Sequence, residues 1–160
     1  MQLLISDANI LIDLEEGELL NVFFRLPYQF KVPDILFVEE LEEQHSHLIE
    51  MGLQLGELSE KTMMYAFQLN QRVNGPSMND CFALALARQE ACPILTGDEA
   101  LRVLAKREAV VVMGTIWVVE QLILHNIITV AIAREAYEKM RSNGRRLPWH
   151  LAFSRLEHQD

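Results

Sequence analysis

The chain has 160 residues, half of them hydrophobic and 23% charged, and a net charge of −9. That length suits one domain with a substantial core, the hydrophobic content excludes a disordered chain, and the acidic balance excludes a general nucleic-acid binder. Cys81 and Cys92, the only cysteines, exclude a disulfide scaffold and fit a reduced protein; with no secretory signal at the start, the expected location is the cytoplasm.

In chain order, Gln2–Ser6 is a short apolar run that predicts a strand ending at Ser6-Asp7. Ala8–Leu14 reads as a helical turn before Gly17, and 18–26 as helix stopped by Pro27. Phe30–Val32 predicts a short strand ahead of Pro33. The spacing of Ile35, Val38, Leu41, Leu48 and Ile49 predicts a single helix from Asp34 to about Glu50, with Gly52 beyond its end. The stretch 53–58 is a candidate edge strand. Ser59-Glu60-Lys61-Thr62 opens a Met- and Leu-rich helix to about Val73, followed by an Asn74-Gly75-Pro76 turn.

Ser77 to about Glu90 is a strongly helical, Ala-rich segment. Pro93-Ile94-Leu95-Thr96 predicts a buried strand, 99–107 a helix, 110–113 a strand and 115–125 a helix. Two more helices are expected over 129–141 and 149–158, separated by an Asn143-Gly144 turn. The longest weakly charged stretch, Ala109–Ala133, is interrupted by Gly114, Glu120, Gln121, His125 and Asn126. It therefore reads as a strand and two helices rather than a span of about 20 apolar residues, and no membrane association is expected. Short apolar strands alternating with helices predict an α/β fold with a mostly parallel sheet, in one domain.

In open parallel sheets, ligands bind outside the C-terminal ends of the strands. Two acids stand there: Asp7 directly after the first strand, and Asp98 after Thr96-Gly97. Asp80 opens the Ala-rich helix, and Glu40 lies one turn into the helix that follows Pro33-Asp34. Carboxylates that converge repel one another unless they keep their protons or bind a cation. Hard divalent cations prefer oxygen donors, and such a site suits hydrolysis of a phosphodiester. Each acid also has an ordinary structural role open to it. Asp7 and Asp98 stand at N-cap positions, Ser77-x-x-Asp80 has the form of a capping box, and Glu40 sits among Glu39, Glu42 and Glu43.

The ordered set Asp7-Ala8-Asn9, Glu40-Leu41, Ser77-x-x-Asp80 and Thr96-Gly97-Asp98 resembles the PIN domain, and within it the VapC-type toxins of toxin–antitoxin systems. The resemblance spans residues 2 to about 122; the helical extension from about 127 lies outside it. It implies a three-layer α/β/α fold and a Mg²⁺- or Mn²⁺-dependent endoribonuclease. Asp7, Asp80 and Asp98 would be metal ligands, and Glu40 would ligate metal directly or through water. Glu39 competes with Glu40 for the second position; Glu40 is chosen because the family pattern places Leu after the acid. Asn9 and Thr96 match positions that support the acids by hydrogen bonding, with Ser77 a further supporting residue. The resemblance also implies a homodimer held in check by a cognate antitoxin.

Arg102 and Lys106, one turn apart on the helix after Asp98, and Arg145 and Arg146 before Leu147-Pro148-Trp149 are candidate RNA contacts. His45 and His47, two residues apart, are expected on different sides of a helix and therefore in surface roles. A non-catalytic scaffold that binds RNA or protein is the alternative reading. A phosphatase with Asp7 as nucleophile ranks lower, since Asn9 stands where a second Asp is needed. Residues 1–60 carry thirteen acids against two bases, a balance of −11, while the remainder is +2.

Overall fold

The first strand is the middle of the sheet. In the computed structural model, which describes residues 1–159, β1 (Gln2–Ser6) pairs with β2 (Tyr28–Pro33) on one side and β4 (Ile94–Leu95) on the other. Beyond these lie β3 (Gln54–Gly56) and β5 (Val112–Met113), giving the order β3-β2-β1-β4-β5 with every pairing parallel. The chain builds outward from β1 through β2 to β3, then returns to the other side for β4 and β5. The strand order therefore reverses between β1 and β4. A crevice opens at such a reversal, outside the strands' C-terminal ends.

Helices cover both faces, as expected for a three-layer α/β/α domain. On one face α7 (Met78–Gln89) packs across β1, β2 and β4, with α6 (Glu60–Arg72) against it. Every residue from Cys81 to Ala87 is buried, because this helix is sandwiched between sheet and helix and its alanines permit close approach. The approach is tight enough that a Cβ on Gly56 of β3 would stand 2.6 Å from Leu86 Cδ2. On the other face lie α1 (Ala8–Glu16), α2 (Leu20–Phe23), α9 (Thr115–Leu124) and α10 (Val130–Ser142), with α11 (Trp149–Leu156) against α10. Phe23 of α2 stacks on Phe30 of β2 at 3.9 Å, and Tyr28 of β2 meets Trp117 of α9 at 5.6 Å. The helix α8 (Glu99–Arg107) joins β4 to β5. No described helix is long and apolar enough to cross a membrane.

The single helix expected over 34–50 is broken into pieces. A first turn α3 (Asp34–Leu36) runs into a π-helical segment, Phe37–Leu41, in which the Glu42 N–H reaches back five residues to the Phe37 carbonyl. Then come α4 (Glu42–His45) and, after a turn, α5 (Leu48–Met51). The residues that bury here are Leu36, Phe37, Leu41 and Leu48, whereas Val38 is 61% exposed. Six polar residues separate Leu41 from Leu48, so no apolar stripe holds a continuous helix on the core. The extra residue in the π turn faces Val38, Glu39 and Glu40 outward together.

Candidate active site

Asp7 leaves the end of β1 as the N-cap of α1, its Oδ1 accepting from the Ile10 N–H at 3.0 Å. The other carboxylate oxygen accepts from the Thr96 hydroxyl at 2.5 Å. Thr96, fully buried at the end of β4, also accepts the Asp98 N–H at 3.1 Å. One hydroxyl thus ties together the strand ends that flank the reversal. Asp98 caps α8 by accepting from the Leu101 N–H.

Asp80 reaches the same region from α7. Its N–H donates to Ser77 Oγ at 3.0 Å, and its Oδ2 accepts the Ser77 N–H at 2.9 Å, which is the reciprocal capping box written in the sequence. Next to it, Asn79 donates from Nδ2 to Glu39 Oε2 at 2.9 Å, linking α7 to the π-helical segment. Asn79 Oδ1 is buried without a hydrogen-bond donor among the described residues.

The electrostatics join these groups. Burial pushes Asp7 up to about 7, opposed by the Thr96 and Ile10 hydrogen bonds and reinforced by the charges of Asp80 and Asp13. Burial also raises Asp80, against its two Ser77 hydrogen bonds and with the charge of Asp98 adding to the rise. Glu40 has an exposed side chain, yet partial desolvation and the nearby charge of Asp80 raise it too, with Asn79 opposing. Asp80 is therefore an electrostatic neighbour of Asp7, Asp98 and Glu40. The acids do not close on one another: no three of their carboxylates bring ligand oxygens within 4.8 Å.

The other expected residues are placed unequally. Asn9 does not support an acid; its Oδ1 accepts from Arg145 Nη2 at 3.0 Å. Arg145 also donates from Nε to Asp13 Oδ1 at 2.7 Å, and Asp13 accepts from the Thr115 hydroxyl at 2.8 Å. This buckle, joining the loop after α10 to α1 and α9, was not foreseen. Its signal was an acid, Asp13, within the apolar run Ile10, Leu11, Ile12, Leu14. Arg102 donates to the Thr96 carbonyl at 2.9 Å. Arg102 and Arg146 line one cleft of about 510 Å³ beside the Asp98 loop, together with Gly97, Trp117 and Arg155. Lys106 is exposed on α8, outside that cleft. A second cleft, about 700 Å³, lies at the opposite strand ends around Pro93 and Val111, away from the acids.

The donor chemistry fits a hard divalent cation. Every candidate ligand is a carboxylate oxygen, three of them are raised by crowding and burial, and a cation relieves both costs. The spread between the carboxylates suits a hydrated ion, since Mg²⁺ usually keeps several waters and takes one or two carboxylates. A family model described as a PIN domain matches residues 3–158. No curated protein matches the chain.

Proposed function

The chain belongs to the PIN-domain family, and from that premise we propose that it is a Mg²⁺- or Mn²⁺-dependent endoribonuclease, the toxin of a toxin–antitoxin pair. PIN domains are generally nucleases that use divalent metals. The observation that carries the reading is the placement of Asp7 and Asp98 on either side of the reversal between β1 and β4. There the Thr96 hydroxyl donates to the Asp7 carboxylate and accepts the Asp98 N–H, with Asp80 near enough for its charge to act on Asp7 and to feel that of Asp98.

In this reading Asp7, Asp80 and Asp98 would hold the cation, and Glu40 would ligate it directly or through water and help position the attacking water. When bound, the cation stabilises negative charge on the phosphodiester oxygens. Thr96 keeps the Asp7 carboxylate in one orientation and lowers its proton affinity, so that cation binding competes better with protonation near neutral pH. Ser77 fixes the Asp80 backbone, and the Asn79–Glu39 hydrogen bond holds the segment carrying Glu40 against α7. Arg102 and Arg146 give the RNA backbone its grip in the adjoining cleft. Two further partners belong to the proposal: a second copy of the chain, and an antitoxin that covers the acids.

The decisive experiment is RNA cleavage by purified protein in Mg²⁺ or Mn²⁺. Cleavage should vanish in EDTA and fall at least about 100-fold in Asp7→Asn and in Asp80→Asn. Activity that survives these changes would sink the proposal. Growth arrest on induced expression, absent in Asp7→Asn, tests the toxin role, and light scattering tests the dimer.

A further inference from the structure

Glu15 stands in the last turn of α1, His45 ends α4, and His47 lies in the turn behind it. His45 Nδ1 and Glu15 Oε2 are 2.8 Å apart, and His47 Nε2 is 3.7 Å from the same oxygen. The three ligand atoms all lie within 4.8 Å of one another, and no other three His, Cys, Asp or Glu side chains among the described residues come together in this way. The histidines meet because the helix does not continue through them: α4 stops at His45, and the turn at Ser46 swings His47 back onto α1. The cluster is separate from the acidic crevice, since Glu15 is eight residues beyond Asp7 on one helix, about 12 Å along its axis.

We propose that Glu15, His45 and His47 form a second metal site, selective for a borderline transition-metal cation of the Zn²⁺ class. Two imidazoles and one carboxylate are a donor set that suits zinc and its neighbours rather than Mg²⁺. Bonds of about 2.0–2.1 Å in a tetrahedral site set donor atoms about 3.4 Å apart. The observed 2.8 and 3.7 Å bracket that spacing, and small rotations of the partly exposed Glu15 and exposed His47 side chains close the remainder. Three protein ligands leave a fourth position for water. The cation would replace the His45–Glu15 hydrogen bond and clamp the end of α1 to the segment that follows Glu39 and Glu40.

The test uses the full chain without a histidine tag, in metal-free buffer at neutral pH. Zn²⁺ is titrated by calorimetry into an Asp7→Asn/Asp80→Asn/Asp98→Asn/Glu40→Gln protein, which lacks the acidic crevice ligands. One equivalent should bind with a dissociation constant of about 10 μM or tighter and raise the melting temperature by roughly 5 °C at saturation. Adding His45→Ala and His47→Ala should weaken binding at least about tenfold and abolish the shift. Because His45 contacts α1, Glu15→Gln serves as a second, nearly isosteric variant with the same expected loss. Co²⁺ substitution reads the ligands directly, through a visible d–d band that disappears in the same variants. Unchanged Zn²⁺ affinity in the histidine variants, or no equivalent bound when the acids of the crevice are removed, overturns the proposal.

Discussion

Asp7 does two things whose demands oppose each other. As an N-cap it accepts the Ile10 N–H, and as a site group it is buried beside other acids, which lifts it to about 7. In the unfolded chain an Asp titrates near its ordinary value of 3.8. Between those values the folded protein holds more protons than the unfolded one. Metal-free wild type should therefore lose stability as pH rises from about 4 to 7 and then level off. Asp7→Asn removes the contribution of Asp7 to that slope, leaving those of Asp13, Glu40 and Asp80, while keeping an oxygen for the Ile10 N–H. In EDTA at pH 8 the variant should be more stable than wild type by on the order of 2 kcal/mol, and with Mg²⁺ supplied it should be inactive. Denaturant titrations at pH 5 and pH 8 check it: the difference should shrink at the lower pH. The acid positions were legible as strand ends and a capping box. Asn79 and the Asn9–Arg145 bond were not, because a side chain's partner is set by which distant segment folds against it.

At the level of elements, the buckle of Arg145, Asp13 and Thr115 shows how the C-terminal part is fastened. Asp13 is 6% exposed, and burial raises it against the hydrogen bonds and charge of Arg145 and the Thr115 hydroxyl. Arg145→Ala leaves that carboxylate without its cation, and removing one partner of a buried pair costs about 3 kcal/mol. The loss should be full at pH 8 and smaller at pH 4, where Asp13 takes up a proton in the folded state. Urea midpoints of the two proteins at both pH values measure it. The broken helix over 34–51 belongs to the same scale. Its apolar positions predict a continuous helix, but the π turn shifts the face, so Phe37 and Leu41 bury while Glu39 and Glu40 face out. Periodicity reports a stripe of residues, not the insertion that rotates it.

For the whole molecule, the C-terminal helices are part of the core. Ala133, Ala136, Tyr137 and Met140 of α10 are each at most 1% exposed, and α10 lies against α1, whose first residue follows Asp7. A chain ending before Ile127 should lack a cooperative thermal transition by circular dichroism, in contrast to the full chain. Charge acts at this scale as well. A net −9 opposes RNA unless a cation neutralises the crevice. Uncleavable 2′-O-methyl RNA should bind at least about tenfold more tightly in Mg²⁺ than in EDTA, as read by fluorescence anisotropy. Equal binding in both would place the RNA on the arginines alone.

The sequence by itself determined the alternation of strand and helix and the parallel sheet. It also determined the position of Asp7, Asp80 and Asp98 at element ends, because those features are local: apolar runs, capping residues and breaks. Only the tertiary structure decided which elements become neighbours. It set β1 beside β4, so that Thr96 joins Asp7 to Asp98. It also laid the loop after α10 on α1, taking Asn9 and Arg145 into a buckle with Asp13, and turned His45 and His47 onto Glu15. These contacts span up to 136 residues of chain. They arise from the packing of buried faces, which the order of residues along one segment does not encode.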